Sequence, residues 1–168
     1  DENNSFHDVV KEAGVQGFTE PDPKIDLSGV DVARKILILI RESGYQFDIE
    51  DIANRSFLPA ECLATTNNED FFKSLIKNAA HFENLLTEAK AKDCRLKYVA
   101  TFENGKASVG LEFIPKESPF YNLEGKDNIV QFYTDRYVDQ PLLIKGAGAG
   151  AAVTASGIFA DVIRIGNI

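Results

Sequence analysis

Four carboxylates and one amine fall close together near the start of this sequence: Glu20, Asp22, Asp26, Asp31 and Lys35. A carboxylate is the natural partner of a cation or an ammonium group, and an amine can give or take a proton. Asp31 and Lys35 stand at i and i+4, so on a helix they share one face. The prolines of Glu20-Pro21-Asp22-Pro23 exclude helix there and stiffen the loop, which suits a group that must be held in place. A plainer use exists for the same residues. Carboxylates at a helix start complement its dipole by about 0.3–1 kcal/mol each, and an i,i+4 acid–base pair adds about 0.2–0.5 kcal/mol. Ser28 is expected to cap the next helix in a capping box with Asp31, which leaves Glu20 and Asp26 surplus to capping. Lys35 adjoins the aliphatic run Ile36 to Ile40, where partial desolvation can tune an amine.

A second region has the form strand, Gly-rich turn, helix: Leu142-Leu143-Ile144-Lys145, then Gly146-Ala147-Gly148-Ala149-Gly150. Backbone N–H groups at such a helix start can cradle a phosphate. The spacing is GxGxG rather than GxGxxG, and the chain ends before the second strand of a dinucleotide fold could form. Close packing of a helix start explains the small residues equally well. His7 and His81 have no catalytic partners in sequence and read as surface or helix residues.

The elements that must position these residues can be read from periodicity. Phe6 to Ala13 reads as a short helix closed by Gly14. A helix from about Val30 to Ser43 carries the buried stripe Ala33, Ile36, Leu37 and Ile40. A longer helical region, about Glu69 to Lys92, follows the start signal Asn67-Asn68. Leu96, Tyr98, Ala100 and Phe102 alternate with Lys97, Val99, Thr101 and Glu103, Asn104-Gly105 signals a type I′ turn, and Ala107, Val109, Leu111 and Phe113 alternate back. Further strands are expected at Asn128 to Thr134 and Leu142 to Lys145, and a last helix from about Ala152 to Ile165. Helices and hairpins with long connections indicate an α+β fold, a mixed, largely antiparallel sheet covered by helices.

Composition excludes several classes. The 168 residues are 44% hydrophobic and 26% charged, with a net charge of −8. That sign repels phosphate backbones and anionic lipid, which sets aside nucleic acid and membrane partners. No apolar run approaches the roughly 20 residues that span a bilayer. Cys62 and Cys94 belong to no metal-ligand pattern and fit a reducing, cytoplasmic setting as free thiols. The sequence contains no Met, so we expect a piece of a longer polypeptide.

The stretch Ala13-Gly14-Val15-Gln16-Gly17-Phe18-Thr19-Glu20-Pro21-Asp22-Pro23, continued by Asp26-Leu27-Ser28-Gly29-Val30-Asp31-Val32-Ala33-Arg34-Lys35, resembles the signature of homoserine dehydrogenase. The ending is similar to that family's C-terminal segment through Lys145 to Gly150, Val153-Thr154-Ala155 and Phe159-Ala160-Asp161. Asp51-Ile52 with Leu58-Pro59-Ala60-Glu61 looks more like the bifunctional aspartokinase–homoserine dehydrogenases. Lys24 and Ile25 depart from the family, where Arg and Asp are common, so a difference in local loop packing is expected there.

The resemblance implies NAD(P)-dependent interconversion of L-homoserine and L-aspartate 4-semialdehyde. By motif position it makes Lys35 the acid/base residue, has Glu20 and Asp31 bind the amino-acid part of the substrate, and has Asp26 order the site. Asp31 would favour the charged form of Lys35, which suits a proton donor. Gly150 would touch the cofactor, NADP or NAD, which is bound mainly by an N-terminal half that this chain lacks. The second active-site lysine and the monovalent-cation site of the family fall in that half, so no metal ligand is assigned here. The implied division is a catalytic and dimerisation domain over 1–145, then a Gly-rich turn and helix over 146–168 that return to the absent Rossmann domain. A homodimer or higher homo-oligomer through the sheet is expected, and the isolated fragment should be inactive. The rival readings are a stand-alone acidic module that binds small anions, and a pure assembly module.

Overall fold

The computed structural model describes residues 4–125, 127–148 and 150–167. They divide into two compact units, Asp1–Lys116 and Glu117–Ile168. In the first, helix α1 (Phe6–Val15) starts where the Ser5 side chain accepts the Asp8 N–H. It continues past Gly14, because the chain reverses only at Gly17, whose φ is 74°.

The proline-rich loop is not free of helix as expected. A short helix α2 (Pro23–Leu27) begins at Pro23, with the Asp22 side chain accepting the Lys24 N–H as N-cap. Proline is tolerated at a first helical position because its missing N–H would have no partner there. Helix α3 (Val30–Glu42) follows at once. The expected capping box between Ser28 and Asp31 does not form. Gly29 is the N-cap, at φ 82° and with no side-chain cap, while Ser28 Oγ donates to the Ile25 carbonyl at 2.8 Å. Ser28 thus closes α2, and its Oγ also accepts the Val30 N–H at 3.4 Å at the start of α3.

A 3-10 turn at Ile49–Asp51 leads into strand β1 (Ile52–Arg55), then helix α4 (Ala60–Leu63). Both are too short to leave a periodic signal. The long helical region is two helices, α5 (Asn68–Lys77) and α6 (Ala79–Ala91). Asn67 caps α5 by accepting the Asp70 N–H. The break falls at Asn78, whose side chain donates back to the Ser74 carbonyl at 2.9 Å. Asn competes with the helix in this way through its own amide.

Strands β2 (Cys94–Glu103) and β3 (Lys106–Pro115) form the predicted hairpin. Asn104 and Gly105 take φ of 51° and 72°, as a type I′ turn requires. β1 adds to β3 in parallel, giving the order β1-β3-β2. Helix α3 lies on one face, with Ala33 and Ile40 packed on Ile52, Ala107 and Val109, and with Tyr98, Ala100 and Phe102 around them. A second cluster joins Val10 of α1, Leu58, Cys62 of α4, Phe71 and Leu75 of α5, and Phe82 of α6. The Phe6 and Phe82 rings stack at 4.3 Å within it.

In the second unit, β4 (Asp127–Thr134) pairs antiparallel with β5 (Tyr137–Ala147), and helix α7 (Ala151–Gly166) follows. β5 is longer than expected and takes in Gly146 and Ala147 of the Gly-Ala run. Ala149 of that run lies outside the described residues. The whole is a mixed α+β arrangement with largely antiparallel sheets, as the sequence predicts. Among the described residues, no helix is long and apolar enough to cross a membrane.

Candidate active site

The acidic loop is built by its own hydrogen bonds. Asp26, one of the two carboxylates expected to be surplus, accepts the Glu20 N–H at 2.9 Å. That bond folds the loop back onto α2 and fixes the backbone that carries Glu20. Pro21 contributes its carbonyl to Asn68 Nδ2 at 2.7 Å, and Lys24 Nζ donates to the Thr65 carbonyl. The loop is therefore tied to the α4–α5 connection as well as to itself. Asp22 is committed as the α2 cap. The Glu20 carboxylate is exposed and makes no hydrogen bond among the described residues, so it is available to a ligand.

On α3 the predicted pair is present. Lys35 Nζ and Asp31 Oδ2 are 2.8 Å apart, with the two side chains 59% and 50% exposed. The stripe Ala33, Ile36, Leu37 and Ile40 turns to the sheet, which leaves Asp31 and Lys35 on the opposite, outward face. The desolvation of Lys35 expected from its aliphatic neighbours does not arise within this chain, because Ile36, Leu37 and Ile40 turn away to the sheet and Ile38, on the outward face beside it, is itself exposed. A pair this exposed contributes about 0–1 kcal/mol to stability. Stability alone gives a weak reason for its presence.

The start of α3 rests on residues that sequence reasoning did not single out. Tyr98 of β2 donates its hydroxyl to Asn54 Oδ1 at 3.2 Å. Asn54 of β1 in turn donates its amide to the Ser28 carbonyl at 2.8 Å. Gly29 lies directly against the tyrosine: a Cβ there would stand 2.0 Å from the Tyr98 hydroxyl oxygen. Burial pushes the Tyr98 hydroxyl above the usual tyrosine range. One sequence signal was available, since a tyrosine on the core-facing side of a strand needs a partner for its hydroxyl. The short β1 strand that supplies the partner gave none.

The structure thus joins Asp31 to Lys35 and Glu20 to Asp26, all in the first unit. Gly150 belongs to the second unit, where it is the N-cap of α7 at φ 121°. Near it, Gly148 lies against the Asn128 side chain, which a Cβ at that position would displace. His81 is occupied by the Phe57 carbonyl at 2.8 Å and His7 lies beside Asp8, as their sequence context suggests. Among the described residues, no group of three or more His, Cys, Asp or Glu could hold a metal ion, and both cysteines are free thiols.

Comparison with known proteins places this geometry among relatives. The profile of the family described as homoserine dehydrogenase matches residues 1–163. The chain is 44% identical over 167 residues to the chloroplastic bifunctional aspartokinase/homoserine dehydrogenase 2 of Arabidopsis thaliana, covering 98% of this chain and 18% of that protein. It is 40% identical over 164 residues to the homoserine dehydrogenase of Schizosaccharomyces pombe, covering 96% of this chain and 44% of that protein. A Candida auris crystal structure, described as a protein of unknown function, superposes with a TM-score of 0.88 at 38% identity over 98% of this chain and 47% of that one. Homoserine dehydrogenase of Staphylococcus aureus shares the fold, with a TM-score of 0.69 at 24% identity over 100% of this chain and 38% of that one. The chain thus spans less than half the length of each of these relatives.

Proposed function

This chain belongs to the homoserine dehydrogenase family, and from that premise we propose that it is the substrate-handling portion of an enzyme that interconverts L-homoserine and L-aspartate 4-semialdehyde, a step toward threonine and methionine. The observation that carries the proposal is the Asp31–Lys35 pair at 2.8 Å on the outward face of α3. It stands next in sequence to a loop that carries the free carboxylate of Glu20 on a backbone whose Glu20 N–H donates to Asp26.

Each residue then has a role its position allows. Glu20 meets the ammonium group that both substrates carry, a charge-assisted contact. Asp26 acts on the backbone of Glu20 and so orders the loop. Lys35 stands toward the substrate oxygen, which it protonates as the aldehyde is reduced and deprotonates as the alcohol is oxidised. Asp31 serves twice, orienting the Lys35 ammonium group and contributing to substrate binding.

A nicotinamide cofactor, when bound, supplies or accepts the hydride. The residues here fit one contact with it. Gly150 offers side-chain-free backbone at the head of α7, where unpaired N–H groups suit a phosphate. The rest of its site, and the choice between NADP and NAD, we assign to sequence outside this chain. The chain alone is accordingly proposed to be inactive, with its catalytic and dimerisation domain over 1–145 and the segment 146–168 packing on the nucleotide-binding domain. We propose a homodimer, or a higher homo-oligomer, through the sheet. In support, among the described residues β4 and β5 pair only with each other and carry the exposed apolar residues Val138, Leu142, Leu143 and Ile144, and an isolated two-stranded hairpin is marginal in water. A cytoplasmic setting is proposed from the free thiols, although several plant relatives are named chloroplastic.

The test is homoserine-dependent reduction of NAD(P)⁺ by the full-length polypeptide. Lys35→Ala should lower kcat by about two to four orders of magnitude, the usual size of an acid–base contribution, with cofactor affinity little changed. Near-wild-type turnover in that variant would remove Lys35 from the chemistry.

A further inference from the structure

The roles of Asp31 and Lys35 depend on where α3 begins, and the structure shows what fixes that point. The N-cap of helix α3 is a glycine at φ 82°, which supplies no side-chain cap, and the Val30 N–H reaches Ser28 Oγ only at a long 3.4 Å. A helix start so weakly capped frays readily. Here the turn that precedes it is held from below. The Ser28 carbonyl takes the Asn54 amide at 2.8 Å, Asn54 takes the Tyr98 hydroxyl at 3.2 Å, and the tyrosine ring lies against Gly29. Asn54 and Tyr98 sit on two different strands, each joined to β3 by a regular register, so their separation is set by the sheet.

We propose that Tyr98 and Asn54 are positioning residues for the reaction: they lock the Ser28-Gly29 turn to the sheet and thereby fix the height and rotation at which α3 presents Asp31 and Lys35. The proposal rests on the reading of Lys35 as the acid/base group. Further along α3, Ala33 and Ile40 anchor the helix by burial. Apolar packing tolerates sliding better than a directional hydrogen bond does. Without the polar link, the first turn loses its rotational reference while the rest of the helix stays docked.

The experiment compares Tyr98→Phe, Asn54→Ala and the double variant with Lys35→Ala in the full-length enzyme, by steady-state kinetics in both substrates with thermal melting alongside. Tyr98→Phe keeps the ring against Gly29 and removes only the hydroxyl, so the variant should fold. We expect each single variant to lower kcat about tenfold, since small misplacements of a reacting group are costly. The KM for the cofactor should stay within about twofold and the double variant should be no slower than the slower single one, because both residues act along one path. Full kcat in both single variants, with Lys35→Ala inactive, overturns the positioning role and leaves the Lys35 reading standing. A fall in kcat matched by loss of folded protein or by a parallel rise in cofactor KM overturns it too, because that pattern is general destabilisation. Near-wild-type turnover in Lys35→Ala instead removes the reading on which the proposal is built.

Discussion

Replacing Gly29 by alanine would ask an L-residue to hold φ of 82° while its new methyl group meets a tyrosine ring. The two costs are separable. Left-handed backbone costs a residue with a Cβ about 1–2 kcal/mol. The methyl carbon would stand 2.0 Å from the Tyr98 hydroxyl oxygen, 2.7 Å from Cζ and 2.9 Å from Cε1, so the ring must move by more than an ångström. Overpacking of this kind costs about 1–3 kcal/mol, and the hydroxyl's bond to Asn54 would be lost with it, about 1 kcal/mol more. Gly29→Ala should therefore destabilise the chain by about 3–6 kcal/mol, a large part of a typical domain's 5–15 kcal/mol. Urea denaturation followed by far-ultraviolet circular dichroism measures it. In a Tyr98→Ala background the steric part is absent, and the same substitution should cost only the backbone share of about 1–2 kcal/mol. A cost below about 1 kcal/mol in the wild-type background, or an equal cost in both, would refute this account of the turn.

Other consequences are open to direct measurement. Ile40 is 1% exposed on the sheet-facing side of α3, and Ile40→Ala should cost about 2–5 kcal/mol by the same denaturation assay. Asp22→Ala removes the α2 cap and should cost about 1 kcal/mol, with faster amide exchange confined to the proline loop. The Tyr98 hydroxyl is pushed above the usual tyrosine range by burial. Its contribution to stability is thus complete below about pH 10, the ordinary tyrosine value, and is lost as pH rises from there through the folded-state value. Tyr98→Phe should flatten the alkaline limb of the stability curve, and tyrosinate absorbance should show one ring titrating late. Glu61 is held below the usual carboxylate range, chiefly by its hydrogen bond from Lys77. Stability from that pair is present above about pH 4.5 and falls on acidification, and Glu61→Gln should reduce this acid-side dependence in a pH series of urea midpoints.

The amino-acid sequence by itself determined the elements whose signal is local. The β2–β3 hairpin was legible because alternation and Asn104-Gly105 agree, and α3 because Ala33, Ile36, Leu37 and Ile40 repeat at helical spacing. The Asp31–Lys35 pair was legible for the same reason, since i,i+4 partners meet on any helix. Only the tertiary structure decided what long-range contacts supply. β1 exists because Ile52 to Arg55 finds β3, and four residues carry no period of their own. Asn78 splits one helical pattern into two by bonding back to Ser74. The loop carboxylates divided by partner rather than by type: Asp22 capped a helix, Asp26 took the Glu20 N–H, and Glu20 alone kept its charge free. Whether a carboxylate is spent on the fold or left for a ligand depends on which N–H groups come within about 3 Å of it, and that is fixed by how distant segments pack.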